Sequence, residues 1–377
     1  MLLTVFTIML ILNSTFTLFP FYLLDLGSTT FFIGVQTALF FIVSIGMRFY
    51  FGPMADNIGR KIPLLIGAGC FAVSALLFTL TSSLILLTLI RMLQALGLSA
   101  FLSSSMSAIA DMAPAGKLGT YMSTYRIIST LSLLVGPAAA LYTVQNAGYN
   151  AWFLLCTILG IIAFGLLLFT RFPPIVQTKN ATTGRAMWSV LFDARYRIIY
   201  FGIGLTAISY GALLSFAALH ISAVTDISNP GIYFIIFGLS SLFFTMVSGY
   251  LSDKLGRPAI AWPSVVMLGL GIAALSQLEA GQYPILIISS LLTGIGFNGG
   301  LSVLSAWLVD QAELSKRASI LSVQESIIDF SIGFIALAFG SFTATADFSL
   351  SFLITGCVII LTGIFLIAQK KTPIHQE

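Results

Sequence analysis

The sequence predicts an all-α membrane protein of twelve spanning helices, arranged as two related six-helix bundles. Three observations predict it. The first is composition: 58% of the 377 residues are hydrophobic and only 8% are charged. A soluble domain carries roughly 25% charged residues, so most of this chain must face lipid. The second is a succession of apolar runs, each near the roughly 20 residues that cross a bilayer. The third is a repeat relating the two halves of the chain.

The runs fall at 2–24, 31–53, 62–81, 84–110, 118–145, 149–170, 198–222, 231–251, 259–278, 284–309, 317–344 and 348–368. The first is long enough to span and lacks the basic leader and small-residue site of a cleaved signal. Most connections are short. The long polar one, Arg171 to Arg197, divides the chain into an N-terminal bundle (1–171), a linker (172–197) and a C-terminal bundle with a short tail (198–377).

Charge orients the spans. Of the 17 Lys and Arg residues, Arg48, Arg91 and Arg126 lie within spans, and the rest fall in loops on one side, in the linker or in the tail. The opposite loops carry only Asp25, Asp226, Glu279 and Asp347. The positive-inside rule then places both termini in the cytoplasm, as an even number of spans requires.

A shift of 197 residues lays Gly52 on Gly249, Asp56 on Asp253 and Gly59-Arg60 on Gly256-Arg257. A shift of 199 lays Gly97 on Gly296, Asp111 on Asp310 and Lys117 on Lys316. Parallel repeats of this kind mark transporters whose solute site lies between the halves.

The repeat-related loops read Gly52-Pro-Met-Ala-Asp56-Asn-Ile-Gly59-Arg60-Lys61 and Gly249-Tyr-Leu-Ser-Asp253-Lys-Leu-Gly256-Arg257-Pro258. The outer glycine is expected to let two helices approach, the inner one to make the bend, and Asp and Arg to form a charged latch. Asp56 is also placed to meet the positive end of a neighbouring helix, span 11 being the natural candidate. This pattern resembles the G-x-x-x-D-x-x-G-R-[KR] signature of the major facilitator superfamily, with Asn57 where that family usually has a basic residue. Arg91-Met-Leu-Gln94-Ala-Leu-Gly97 in span 4 is similar to the R-x-x-Q-G pattern of its proton-driven exporters, with Ala95 in place of Gly. Gly136-Pro137 in span 5 resembles the family's antiporter motif, several of whose glycines are replaced here (Ser123, Ser132, Ala140). A plain kink in a membrane helix is the competing reading of Gly136-Pro137. The resemblance implies the major facilitator fold and proton-driven export, with spans 1, 4, 7 and 10 around the solute cavity.

Ionisable residues inside spans need a reason, because each costs ~2.5–3.5 kcal/mol at a helix centre on insertion scales. Glu325 and Asp329 share one face of span 11, and Arg126 corresponds to Glu325 under the 199 shift. The resemblance implies a gate in which Arg126 pairs with Glu325 or Asp329 in one state only, released when the acid is protonated. The alternative is a permanent pair within one half, or an acid beside the cytoplasmic water layer. Arg91 is read as solute contact or proton relay, against a structural bond to nearby carbonyls. Arg48 is read equally as a structural residue.

Asn13 and Thr17 share a face of span 1, Thr206 and Tyr210 a face of span 7, and Asn298, Ser302 and Ser305 a face of span 10. With Arg91 and Gln94 they form the candidate solute site, each being otherwise interhelical glue. His220 is read as interfacial and His375 as solvated. Cys70, Cys156 and Cys357 are read as small core residues, and the 32 Phe residues as packing or lipid-facing.

Export of a small organic solute against protons is the leading function. An uptake symporter on the same fold is the alternative, and a lipid-handling protein or membrane enzyme a third reading. The spans carry no Ser/His/Asp set, metal cluster or phosphate-cradling loop, so no catalysis, metal or cofactor is expected. The expected partners are the solute, protons and the bilayer, with no nucleic acid and a monomeric state. With three in-span arginines against two acids, the solute is expected to be anionic, zwitterionic or neutral.

Overall fold

The computed structural model describes residues 1–114, 117–172, 189–313, 317–343 and 347–369. Within these, the surroundings of Asp56, Leu118, Gly119, Arg317, Ala318 and Gln369 are not described. Most of the predicted linker, together with Lys316 and His375, therefore lies outside the described residues.

The described residues are helical almost throughout, because in lipid a backbone must bond to itself and a helix does so within one segment. The helices are α1 Leu2–Asp25, α2 Thr30–Asn57, α3 Lys61–Phe78, α4 Leu84–Asp111, α5 Leu118–Phe169, α6 Arg197–Ala212, α7 Ala218–Val224, α8 Ile232–Leu255, α9 Arg257–Leu275, α10 Tyr283–Asp310, α11 Arg317–Thr343 and α12 Phe348–Gln369. The 52-residue α5 holds two predicted spans, broken at Gly148, whose φ of 79° and ψ of 170° leave the helical region. Only glycine enters that region freely. Predicted span 7 runs through α6 and α7, joined by a π-helical turn at Leu213–Ala217 that the apolar pattern does not reveal. With those two adjustments, the twelve predicted spans are the helices observed.

The chain forms two compact units, Met1–Gly184 and Arg185–Glu377. In the first, α1 packs on α5, α2 and α3 pack on α4, and α3 also packs on α5. In the second, α6 packs on α11, α8 and α9 pack on α10, and α9 also packs on α12. Span for span, these are the same pairings. The sequence repeat is thus a repeat of helix contacts.

Small residues set the crossings. A Cβ placed on Gly97 would lie 2.7 Å from Cys70 Cβ, and one on the repeat-related Gly296 would lie 2.5 Å from the Leu268 backbone nitrogen. These two positions bring α4 onto α3 and α10 onto α9. Gly136 does the same between α5 and α1, where an added Cβ would meet the Leu10 carbonyl at 3.1 Å. The Gly-Pro pair of span 5 therefore marks a close helix contact as well as an in-helix proline.

The loop glycines divide in role. Gly59 (φ 108°) and Gly256 (φ 88°) make the bends, as expected. Gly52 and Gly249 do not mediate a close approach: each lies within a helix, with no atom within 4 Å of an added Cβ. The helices simply run on through those positions, to Asn57 and Leu255. At the other end of the first unit, the Tyr149 hydroxyl donates to Asp25 Oδ2 at 2.5 Å, closing α1 onto α5 just after the Gly148 break.

His220 is fully buried by its neighbours, with Nε2 2.8 Å from the Leu275 carbonyl and its ring beside Phe348 and Phe352. One minor expectation is corrected: Cys357 is not a core residue but lies exposed on α12 among exposed apolar side chains, whereas Cys156 is buried.

Candidate solute site

Arg91 sits two turns into α4 and is 3% exposed. Its Nη1 donates to Gln94 Oε1 at 2.5 Å, one helical turn along the same face. Three phenyl rings surround the guanidinium, whose central carbon lies 4.5 Å from the ring centroid of Phe40, 4.6 Å from Phe16 and 5.1 Å from Phe19. Phe16 and Phe19 come from α1 and Phe40 from α2, so three helices converge on one cation. Phe16 meets Phe40 edge-on at 5.0 Å and stacks on Phe41 at 5.4 Å, which fixes the box.

The electrostatics are unusual for a buried charge. No described carboxylate pairs with Arg91. Ring faces supply attraction worth ~0.5–2 kcal/mol each, the upper figure applying where water is excluded. They offset the cost of placing the charge in the bilayer but accept no in-plane N–H. Arg91 Nε and Gln94 Nε2 are left buried without a hydrogen-bond partner, and such an unmet donor costs about 1–3 kcal/mol.

The other candidates separate into engaged and open groups. Asn13 Nδ2 donates to Ser132 Oγ at 3.2 Å, tying α1 to α5. The Thr17 hydroxyl donates back to the Asn13 carbonyl, and the Thr206 hydroxyl to the Gly202 carbonyl. Both threonines are buried. In the second unit, Tyr210 stacks on Phe297 with centroids 4.4 Å apart and lies 6.5 Å from Phe237. Asn298 is half-buried beside Phe297, and Ser302 Oγ approaches Ser248 Oγ at 3.5 Å. Ser305 is buried with its hydroxyl unpartnered.

Arg126 belongs to the first unit and is exposed. Glu325 and Asp329 belong to the second; Glu325 is exposed and Asp329 is 5% exposed. Arg48 is half-buried on α2.

The loop arginines find their partner at the end of a neighbouring helix. Arg60 Nε donates to Asp111 Oδ2 at 3.1 Å, and Arg257 Nε to Asp310 Oδ2 at 2.8 Å. Arg257 Nη1 also reaches Asp253 Oδ1 at 2.5 Å and Ser252 Oγ at 2.8 Å. The motif Asp of the second loop thus joins a four-residue cluster with Arg257, Asp310 and Ser252. The first loop's Asp56 has an undescribed side chain. Reading the motif alone missed Asp111 and Asp310 as latch partners, although the repeat had already paired them.

The phenyl box was also missed. Its only sequence signal is the pair Phe16 and Phe19, one turn apart on span 1, in a chain with many phenylalanines. The Gln36 Nε2 bond to Thr88 Oγ1 at 3.2 Å, between α2 and α4 one turn before Arg91, had no signal beyond an in-span Gln.

A family model described as Major Facilitator Superfamily matches residues 1–230 and again 198–377. The chain belongs to the major facilitator superfamily. Its relatives within that superfamily include the "Multidrug resistance protein MdtG" of Klebsiella pneumoniae (strain 342), 24% identical across 94% of this chain and 88% of that protein. Another is the "Multidrug transporter MdfA" of Edwardsiella ictaluri, 27% identical across 68% of this chain and 65% of that one. Among solved structures, nucleoside transporter NupG superposes with a TM-score of 0.80 at 16% identity, covering 99% of this chain and 98% of that one. A D-xylose–proton symporter superposes at 0.77 with 17% identity, covering 97% and 95%. At such identities these structures speak for the fold alone. The chain is therefore a multi-pass membrane transporter of this superfamily.

Proposed function

We propose that this superfamily member is a proton-coupled exporter of a small organic solute, working by alternating access. It acts as a monomer in the cell membrane with both termini cytoplasmic. The observation that carries this reading is the hydrogen-bonded Arg91–Gln94 pair. It occupies the R-x-x-Q positions shared with proton-driven exporters, in a chain that aligns over nearly its whole length with a protein named for multidrug resistance. Phe16, Phe19 and Phe40 hold the pair in place, and Asn13, Tyr210 and Asn298 supply further solute contacts.

Coupling runs through Arg126 and the α11 acids. In one state Arg126 pairs with Glu325 or Asp329, and protonation of the acid releases it. A membrane potential contributes ~2.3 kcal/mol per charge per 100 mV to such a cycle. The Arg60–Asp111 and Arg257–Asp310 latches stiffen the loop ends while the helices rearrange.

The test is transport by the purified protein in liposomes carrying an imposed pH gradient, with internal pH followed as candidate solutes are added. Proton flux opposite to solute flux is the expected result. Flux in the same direction establishes uptake symport instead, and solute movement indifferent to the gradient removes proton coupling altogether. Reversing Arg126 and Glu325 (or Asp329) together should restore transport lost in each single reversal; no rescue sinks the gate.

A further inference from the structure

We infer that Arg91 and Gln94 receive an oxyanion on the solute, a carboxylate in the first instance, carried on an apolar and preferably aromatic body. This rests on the reading of the Arg91 box as the solute site and names the chemistry that site selects.

The argument starts from what the cation lacks. Arg91 is buried, and no described carboxylate balances it. Its Nη1 is taken by Gln94, while Nε has no partner and Nη2 makes no hydrogen bond to a described residue. Nε and Nη2 form one edge of the guanidinium, the planar two-donor fork that a carboxylate matches with two parallel bonds. Gln94 Nε2, also buried and unpartnered, adds a donor on the same helix face one turn away. Two buried donors, Arg91 Nε and Gln94 Nε2, are therefore unmet, and no described side chain supplies an acceptor to them or to Nη2.

A neutral carbonyl would supply one acceptor and leave the charge unbalanced. An ammonium would add a second cation to a dry box. An oxyanion meets the donors and the charge together. The phenyl walls decide the rest of the ligand. Phe16, Phe19 and Phe40 are nearly or fully buried, and Phe16 is packed edge-on against Phe40, so the group attached to the anion meets aromatic carbon, not water. Asn13, whose side-chain Nδ2 is tied to Ser132, lies about one turn before Phe16 on α1 and keeps its side-chain Oδ1 for a donor on the solute. Span 1 carries no acidic side chain before Asp25 at its end, so nothing on α1 competes for the cation.

The experiment measures binding to the purified full chain in lipid nanodiscs, using the fluorescence of matched naphthalene probes: naphthoate, naphthalenesulfonate, naphthamide and naphthylmethylammonium. Naphthoate is expected to bind about tenfold or more tightly than naphthamide, the scale of a charge-assisted bond, with the ammonium weakest. Arg91→Gln erases that preference, and Arg91→Lys, which keeps charge but loses the fork, retains only part of it. Sulfonate binding as tight as naphthoate, with the amide still weak, upholds the oxyanion and widens it beyond carboxylates. Equal binding of acid and amide, preferred binding of the ammonium, or no binding across the panel overturns the inference. If Arg91→Gln does not run as a single species on size exclusion, the wild-type preference and Gln94→Leu decide. Binding is read without a gradient, so failure of proton export in liposomes leaves this result standing, and the converse.

Discussion

Arg257 Nε donates to Asp310 Oδ2 at 2.8 Å, and in the other unit Arg60 makes the equivalent bond to Asp111 at 3.1 Å. Each arginine follows a glycine bend, Arg257 as the first residue of α9 and Arg60 as the residue capping α3, and each aspartate ends a helix. The bond thus fixes where one helix starts against where another stops. Arg257 and Asp310 are 22% and 53% exposed, so the pair contributes about 1 kcal/mol or less to stability. Asp310→Asn should therefore barely move thermal unfolding in detergent while lowering transport several-fold, and exchanging the two residues should recover much of the loss. A large fall in unfolding temperature with proportionate loss of transport would make the latch a purely structural pair.

The glycines offer a contrast within one protein. A Cβ on Gly294 would run into Ser240 Oγ and the Phe237 carbonyl, and one on Gly296 would press on the α9 backbone. Gly294→Ala and Gly296→Ala should each destabilise by about 1–3 kcal/mol, the cost of overpacking. Gly52→Ala and Gly249→Ala meet open space, so they should be neutral or gain up to about 1 kcal/mol of helix propensity. Melting of all four variants by fluorescence-detected size exclusion separates the pairs.

Ser132→Ala removes the acceptor of the Asn13 amide between α1 and α5. Buried hydrogen bonds between membrane helices average about 0.6 kcal/mol and reach ~1.7, so a small drop in stability is expected. Solute affinity should change less for Ser132→Ala than for Asn13→Leu. Equal effects would reduce Asn13 to glue.

His220 is buried with one ring nitrogen on the Leu275 carbonyl and the other unpartnered. Packed beside Phe348 and Phe352, it behaves as an aromatic residue with one useful donor. His220→Phe removes that bond and the unmet nitrogen together, while the Leu275 carbonyl keeps the Leu278 N–H at 3.2 Å, so no new buried group is left unmet. Thermal stability should stay within about 1 kcal/mol, and the pH profile of transport should not move. A displaced profile would assign His220 a part in proton coupling.

Legibility in the sequence followed physical range. Span positions and the Gly59 and Gly256 bends were readable because bilayer thickness fixes helix length and a left-handed bend selects glycine. The repeat was readable because the same contacts recur at Gly97 and Gly296. The outer loop glycines were misread because a glycine in a sequence does not show whether a second helix passes close to it, and none does at Gly52 or Gly249. The burial of His220 was not readable because its place near the end of a span said nothing of the side chains folded over it. The phenyl box stayed hidden because one aromatic in a Phe-rich chain looks like another.

The sequence by itself determined the membrane setting, the twelve spans, their breaks and their two-fold repetition. Those depend on transfer to lipid and on backbone bonds closed within a segment, both local along the chain. Only the tertiary structure decided that Arg91 faces three rings and no described carboxylate, that Asp111 and Asp310 receive the loop arginines, and that Gly136 lies against α1. Such partners come from helices far apart in sequence, and the angle at which those helices cross is set by packing that no single segment encodes.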